Sequence, residues 1–324
     1  MGRRRISLLI ALVAGCGAST PAICTQPPAC PWQDLIARSQ CGGDDGSIAY
    51  HASTADEQTQ ERALFGALLV TRDRAAIEAL IPKARAIGLR LFVCGDSAVI
   101  VEDDAARRGR GAYVIALGDA AEILVQVPHS FSDLDTLPLG RELRDTLHPR
   151  ALAVSTLHRR GMAGYGDSDT RVPPTGHADV AHDPDSTFQS FTAAWLATYA
   201  DRLVVQLHGF ADRRVDADLV VSSGAKAPAP PWTRAVRDQL RRLLPGRTIA
   251  AYPDDVDDLG ATTNAQGRAI RAAGGRFLHV EMSASLRESL RRRKSDRGRF
   301  IAGLARALAA INGPTSSSAS RAGS

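Results

Sequence analysis

Alternation is the feature that most constrains the fold. Short runs rich in aliphatic and β-branched residues, at residues 113–117, 123–127, 152–155, 203–207, 219–221 and 277–280, are separated by stretches with helical spacing at residues 139–147, 187–199, 233–244, 264–273 and 299–311. Strands that alternate with helices predict an α/β fold, a mostly parallel or mixed sheet with helices on both faces. This domain is expected over residues 111–312. Ahead of it, residues 34–110 read as a small α+β unit. In that unit residues 64–70 are apolar and strand-like, and residues 73–86 have helical spacing closed by Gly88. Residues 89–94 and 98–102 look like two strands joined by Gly95-Asp96-Ser97.

The N-terminus carries a targeting pattern. Arg3, Arg4 and Arg5 precede an apolar run of eight residues, far short of the about 20 needed to span a bilayer. Val13-Ala14-Gly15-Cys16 then resembles a bacterial lipoprotein signal. That resemblance implies a signal peptide over residues 1–15, lipidation of Cys16, and a membrane partner reached through the lipid anchor. Gly17 in place of an aspartate points to the outer rather than the inner membrane of the cell envelope. Residues 16–33, rich in Pro, Ser, Thr and Gln, suit a tether, and residues 313–324 read as a disordered tail.

Charge narrows the partners. Losing residues 1–15 removes three arginines and leaves 37 basic against 35 acidic residues, a net +2. That is too balanced for binding nucleic acid by phosphate neutralisation, and aromatics at 5% offer few stacking platforms. Export also changes the cysteine arithmetic: beside Cys16, four cysteines remain, Cys24, Cys30, Cys41 and Cys94, an even number in an oxidising compartment. Cys30 and Cys41 suit a local loop closure, yet three pairings are open.

In a parallel sheet, ligands gather beyond the C-terminal strand ends. His129 and His208 each directly follow an apolar run, and Glu281 follows a third. Two imidazoles and a nearby acid, Asp133 or Asp135, can complete a His/Asp/His metal set with a position left for water. Asp133 is preferred because it sits closer to the histidine in the same turn. One zinc-like divalent ion per chain is expected, with Glu281 as general base and acid. Arg159 and Arg268 are candidates for gripping a substrate carboxylate. His182, at the end of a long glycine- and proline-containing loop over residues 159–185, is a candidate for substrate contact or for supporting the metal.

Val127-Pro128-His129-Ser130 resembles the Val-Pro-His-Ser motif of N-formylglutamate amidohydrolases, which are related in fold to zinc carboxypeptidases. Leu207-His208-Gly209 is similar to that family's later strand-end histidine, and Val280-Glu281-Met282 to its near-terminal acidic motif. Segments around Leu157-His158-Arg159 and Thr263-Asn264-Ala265-Gln266-Gly267-Arg268 also resemble site segments of the wider group. The resemblance covers about residues 112–311. It implies a phosphorylase/hydrolase-like fold and a zinc-dependent hydrolase of amide or peptide bonds, acting on a carboxylate-bearing N-acyl amino acid, peptide or cell-wall fragment. Phe131 stands where the family has glycine, and Ser132 leaves no His-x-x-Glu, so the acid ligand falls to Asp133 or Asp135. A non-catalytic envelope lipoprotein that binds a ligand on the same fold is the rival expectation.

Overall fold

The computed structural model describes residues 30–43, 47–160, 178–199 and 203–311. The signal peptide, Cys16, most of the tether, the middle of the 159–185 loop and the tail lie outside the described residues.

Among the described residues nine strands form one sheet: β1 (Leu89–Cys94), β2 (Ser97–Glu102), β3 (Ala112–Ala116), β4 (Ala121–Val127), β5 (Pro149–Val154), β6 (Leu203–Phe210), β7 (Leu219–Ser222), β8 (Ile249–Tyr252) and β9 (Arg276–Ser283). Their order is β1-β2-β3-β5-β4-β6-β9-β7-β8. The centre, β5-β4-β6-β9, is parallel, whereas β3 joins β5 and β7 joins β9 in antiparallel fashion. The fold is therefore α/β with a mixed sheet that is parallel where it is most buried. Strands β1 and β2, from residues 34–110, extend the same sheet through β3.

Helices cover both faces. One apolar cluster joins the sheet to α1 (Trp32–Ser39), α5 (Thr136–Leu147), α7 (Pro231–Leu243), α9 (Ala284–Arg292) and α10 (Lys294–Ile311). The other joins its opposite face to α2 (Ala55–Val70), α3 (Arg74–Glu78), α4 (Ile81–Ala86), α6 (Thr187–Thr198) and α8 (Ala265–Ala272). Alternation sorts each strand: Val205 and Leu207 pack on the first face, Val204 on the second. Gln206 and His208 therefore share the second face.

The sequence expectations differ from the structure in four places. Residues 64–70 are not a strand but the last turns of α2, whose start is fixed by a capping box between Thr54 and Glu57. A short apolar run does not by itself separate a strand from a buried helix, and the polar turns before it decide the matter. The helical stretch 73–86 is two helices, with Pro82 in the first turn of the second. Strand β8, at the sheet edge, was not expected. Cys30 pairs with Cys94, tying the chain before α1 to the end of β1, and Cys41 is also disulfide-bonded. The local Cys30–Cys41 closure is not formed.

Candidate metal and catalytic site

Three adjacent parallel strands, β4, β6 and β9, end at one cavity of about 300 Å³. His129 follows β4. A tight turn, in which the Asp133 N–H donates to the His129 carbonyl (2.8 Å), swings the Asp133 carboxylate back over the histidine. Register sets the rest: Gln206 on β6 lies opposite His279 on β9, and His208 opposite Glu281. Spacing by two puts all four side chains on one face. Buried Arg287 of α9 ties the three strand ends together by donating to the carbonyls of Leu134, Phe210 and Met282.

Asp133 Oδ2 is the hub. It lies 3.2 Å from His129 Nδ1 and 3.4 Å from His208 Nδ1, and accepts the Gly209 N–H at 3.0 Å. The far nitrogens of both rings have acceptors of their own: His129 Nε2 faces Asp179 Oδ1 at 2.9 Å, and His208 Nε2 faces Gln206 Oε1 at 2.7 Å. In a neutral ring the proton goes to that acceptor, leaving the Nδ1 lone pair pointed at the other donors. Two imidazole nitrogens, each ring braced from behind, and one carboxylate oxygen form the donor set that suits zinc. The residues fit the group.

Asp133 is thus placed with both histidines. Asp135 is not: it turns outward as the residue before α5 and pairs with Arg291 at 3.4 Å. Among the described residues a second group, His208, His279 and Glu281, also brings ligand atoms within 4.8 Å. It shares His208 with the first set, where His208 Nδ1 is turned toward Asp133.

The electrostatics follow from burial and neighbours. Burial lowers the His129 imidazole, but the Asp179 and Asp133 carboxylates outweigh it and raise it to about 10. Burial pushes Asp133 and Asp179 up, yet the His129 ring holds both well below the ordinary carboxylate range. Burial, with the His129 charge beside it, brings His208 down to about 4 against the pull of Asp133. Burial, above all, holds His279 well below its usual value. Glu281 goes the other way: burial, then the Asp133 charge, pushes it up to about 8. Its Oε1 lies 3.6 Å from His279 Nε2, and its Oε2 is buried with no hydrogen-bond partner among the described residues. An orphaned carboxylate oxygen in a cavity wall marks a group held ready for something outside the protein.

Arg159 and His182 both line the cavity. His182 Nδ1 bonds Asp179 Oδ2 at 3.2 Å, and its Nε2 lies 3.4 Å from the Thr263 hydroxyl. Arg268 does not belong to the site. Helix α8 buries Ala265, Gln266, Gly267 and Ile270, which turns Arg268 out to solvent. The far wall is the segment from Asp258 to Asn264. Leu259 (φ 63°) and Ala261 (φ 53°) hold left-handed conformations there, the kind of local strain that collects at binding sites.

Sequence reasoning missed Asp179, Gln206, His279 and Arg214. Two of these had a signal: Gln206-Leu207-His208 and His279-Val280-Glu281 each place polar groups two apart around an apolar residue, one face of a strand. Asp179 had none, since it arrives on a segment whose Val180 and Ala181 carbonyls are held by Gln266 and Ala265. Arg214, from the turn after β6, makes a two-pronged pair with Asp258 at the cavity mouth (2.7 and 3.1 Å).

No protein-family profile and no curated protein sequence matches the chain. Solved structures similar to it include the N-formylglutamate amidohydrolase from Ralstonia eutropha JMP134, at 14% identity and a TM-score of 0.34 over 60% of this chain and 94% of that one. A metallo-carboxypeptidase from Burkholderia cenocepacia is 11% identical with a TM-score of 0.37, covering 74% and 68%. An N-acetylmuramoyl-L-alanine amidase from Clostridium difficile 630 is 10% identical with a TM-score of 0.36, covering 60% and 97%. The two groups named by the sequence resemblance are thus both among them.

Proposed function

We propose that the protein is a zinc-dependent hydrolase of amide or peptide bonds, carried on a lipid anchor in the bacterial cell envelope. One observation carries this reading: His129 Nδ1 and His208 Nδ1, each ring braced from behind, converge with Asp133 Oδ2 beside the orphaned oxygen of Glu281. His129, Asp133 and His208 would hold the ion. Zinc, when bound, supplies Lewis acidity toward the scissile carbonyl and acidifies the attacking water. Glu281 takes the proton of that water as the new C–O bond forms. It then returns the proton to the leaving nitrogen as the C–N bond breaks, so the two products are a carboxylic acid and an amine. Arg159 at the cavity edge suits a substrate carboxylate, such as that of an N-acyl amino acid, a peptide or a cell-wall fragment.

The test is elemental analysis beside turnover. Purified protein should hold about one zinc per chain and hydrolyse members of a panel of N-acyl amino acids, short peptides and cell-wall fragments. Chelation should abolish hydrolysis and added zinc restore it. Protein that turns over these amides with no bound metal sinks the proposal. Zinc without turnover of any panel member favours the rival, a ligand-binding lipoprotein.

The anchor is tested separately. Cys16→Ala should leave the membrane fraction or accumulate as uncleaved precursor, read by fractionation and by intact mass. Unchanged processing with full membrane retention would rule out lipidation at this residue.

A further inference from the structure

Beneath His208 lies a buried amide network that reaches four elements. Gln206 donates from Nε2 to Gln126 Oε1 (2.9 Å) and Gln266 Oε1 (3.3 Å), and its Oε1 receives Asn264 Nδ2 (2.7 Å) and faces His208 Nε2 (2.7 Å). All four amide side chains are buried, none more than 2% exposed. An amide can be turned end for end without changing shape, so its sense has to be established from its partners.

Three independent chains establish it. The Thr192 hydroxyl donates to the Phe188 carbonyl (3.0 Å), so its oxygen is left to accept Gln126 Nε2 (2.9 Å), which turns Gln126 Oε1 toward Gln206. Asn264 accepts the Gly267 N–H through Oδ1 (2.8 Å) as the cap of α8, so its Nδ2 must donate to Gln206. Gln266 donates through Nε2 to the Val180 carbonyl (2.8 Å), so its Oε1 must accept from Gln206. Each chain ends on a backbone group whose polarity cannot reverse. All three point the Gln206 oxygen, and not its nitrogen, at His208.

An amide oxygen can only accept. His208 therefore carries its hydrogen on Nε2, and the nitrogen facing Asp133 is the one with the lone pair. We propose that Gln206 is the positioning residue that makes Nδ1 the ligating nitrogen of His208, by holding the ring in its Nε2–H form; this rests on the metal-site reading above. The same network reaches His129 from the other side, because Gln266 holds the segment that carries Asp179, whose carboxylate braces His129 Nε2.

The experiment measures zinc affinity by competition with a chromophoric chelator, the His208 tautomer by long-range 1H–15N correlation, and Tm, for wild type, Gln206→Leu and Gln206→Glu. Wild type should show Nε2–H on His208. Gln206→Leu removes the acceptor and should weaken zinc about 10- to 100-fold, the usual effect of losing the group behind a ligating histidine. Gln206→Glu keeps an acceptor but loses the donor to Gln126 and Gln266, so Tm should fall while zinc affinity stays near wild type. Nδ1–H in the wild type, a Leu variant with unaltered zinc affinity, or affinities that merely follow Tm in both variants would each overturn the role of Gln206. Should Gln206→Leu not fold, the wild-type tautomer and the Glu variant still decide. Wild type that binds no zinc overturns the metal-site reading itself, and shows this before any variant is compared.

Discussion

Glu281→Gln should keep its zinc and lose its turnover, with hydrolysis falling about a hundred- to ten-thousand-fold, the range that general acid–base groups contribute. Metal content and kinetics measured side by side on wild type and variant make the test. The reasoning rests on roles that the site keeps apart. Three donors, His129, Asp133 and His208, converge without Glu281, whose Oε1 lies 3.6 Å from His279 Nε2. A glutamine of nearly the same shape fills the same space at the end of β9 but cannot take up a proton. KM should therefore move less than kcat. A variant that loses its zinc would make Glu281 a ligand instead, and one with near-normal turnover would remove it from the chemistry.

Much of this site was legible before the structure, and the reason is geometric. His129, His208 and Glu281 each follow an apolar strand, and the rule that parallel strands deliver ligands at their C-terminal ends needs only strand boundaries to apply. Strand order was not legible. Nothing local says that β4, β6 and β9 are neighbours, since their pairing is set by which faces the helices between them cover. Asp133 over Asp135 followed from a four-residue turn, a local property, and the structure keeps that preference. Arg268 shows the limit of proximity arguments. It sits four residues past Asn264, which caps α8 and lines the cavity, yet α8 buries the face made by Ala265, Gln266, Gly267 and Ile270 and leaves Arg268 exposed to solvent. Residues 64–70 failed for the opposite reason, because an apolar run of seven fits either a strand or a buried helix end until Thr54 and Glu57 are read as a cap.

The second large effect is expected at the ligands, and it should differ between the two histidines. His208→Ala should empty the site, weakening zinc by more than the roughly 10- to 100-fold that loss of an outer partner costs, with only a moderate fall in stability. Burial holds that ring neutral, so truncation strands no charge, and the Gln206 oxygen that loses it keeps Asn264 as a donor. His129→Ala should also empty the site but unfold more readily. Its ring stands between two carboxylates, Asp133 on Nδ1 and Asp179 on Nε2, and Asp133 is 2% exposed. Removing the partner of a buried charge costs about 3–5 kcal/mol, and Asp133 would keep only the Gly209 N–H and the neutral His208 ring beside it. Asp135→Asn supplies the control, since Asp135 pairs with Arg291 away from the cavity and should leave zinc unchanged. Urea denaturation and zinc content on these three variants and on Asp133→Asn check the ordering. Equal stability losses for the two histidine variants would mean that His129 does not bridge the carboxylates in solution. Zinc lost in Asp135→Asn but kept in Asp133→Asn would transfer the acid ligand to the other aspartate.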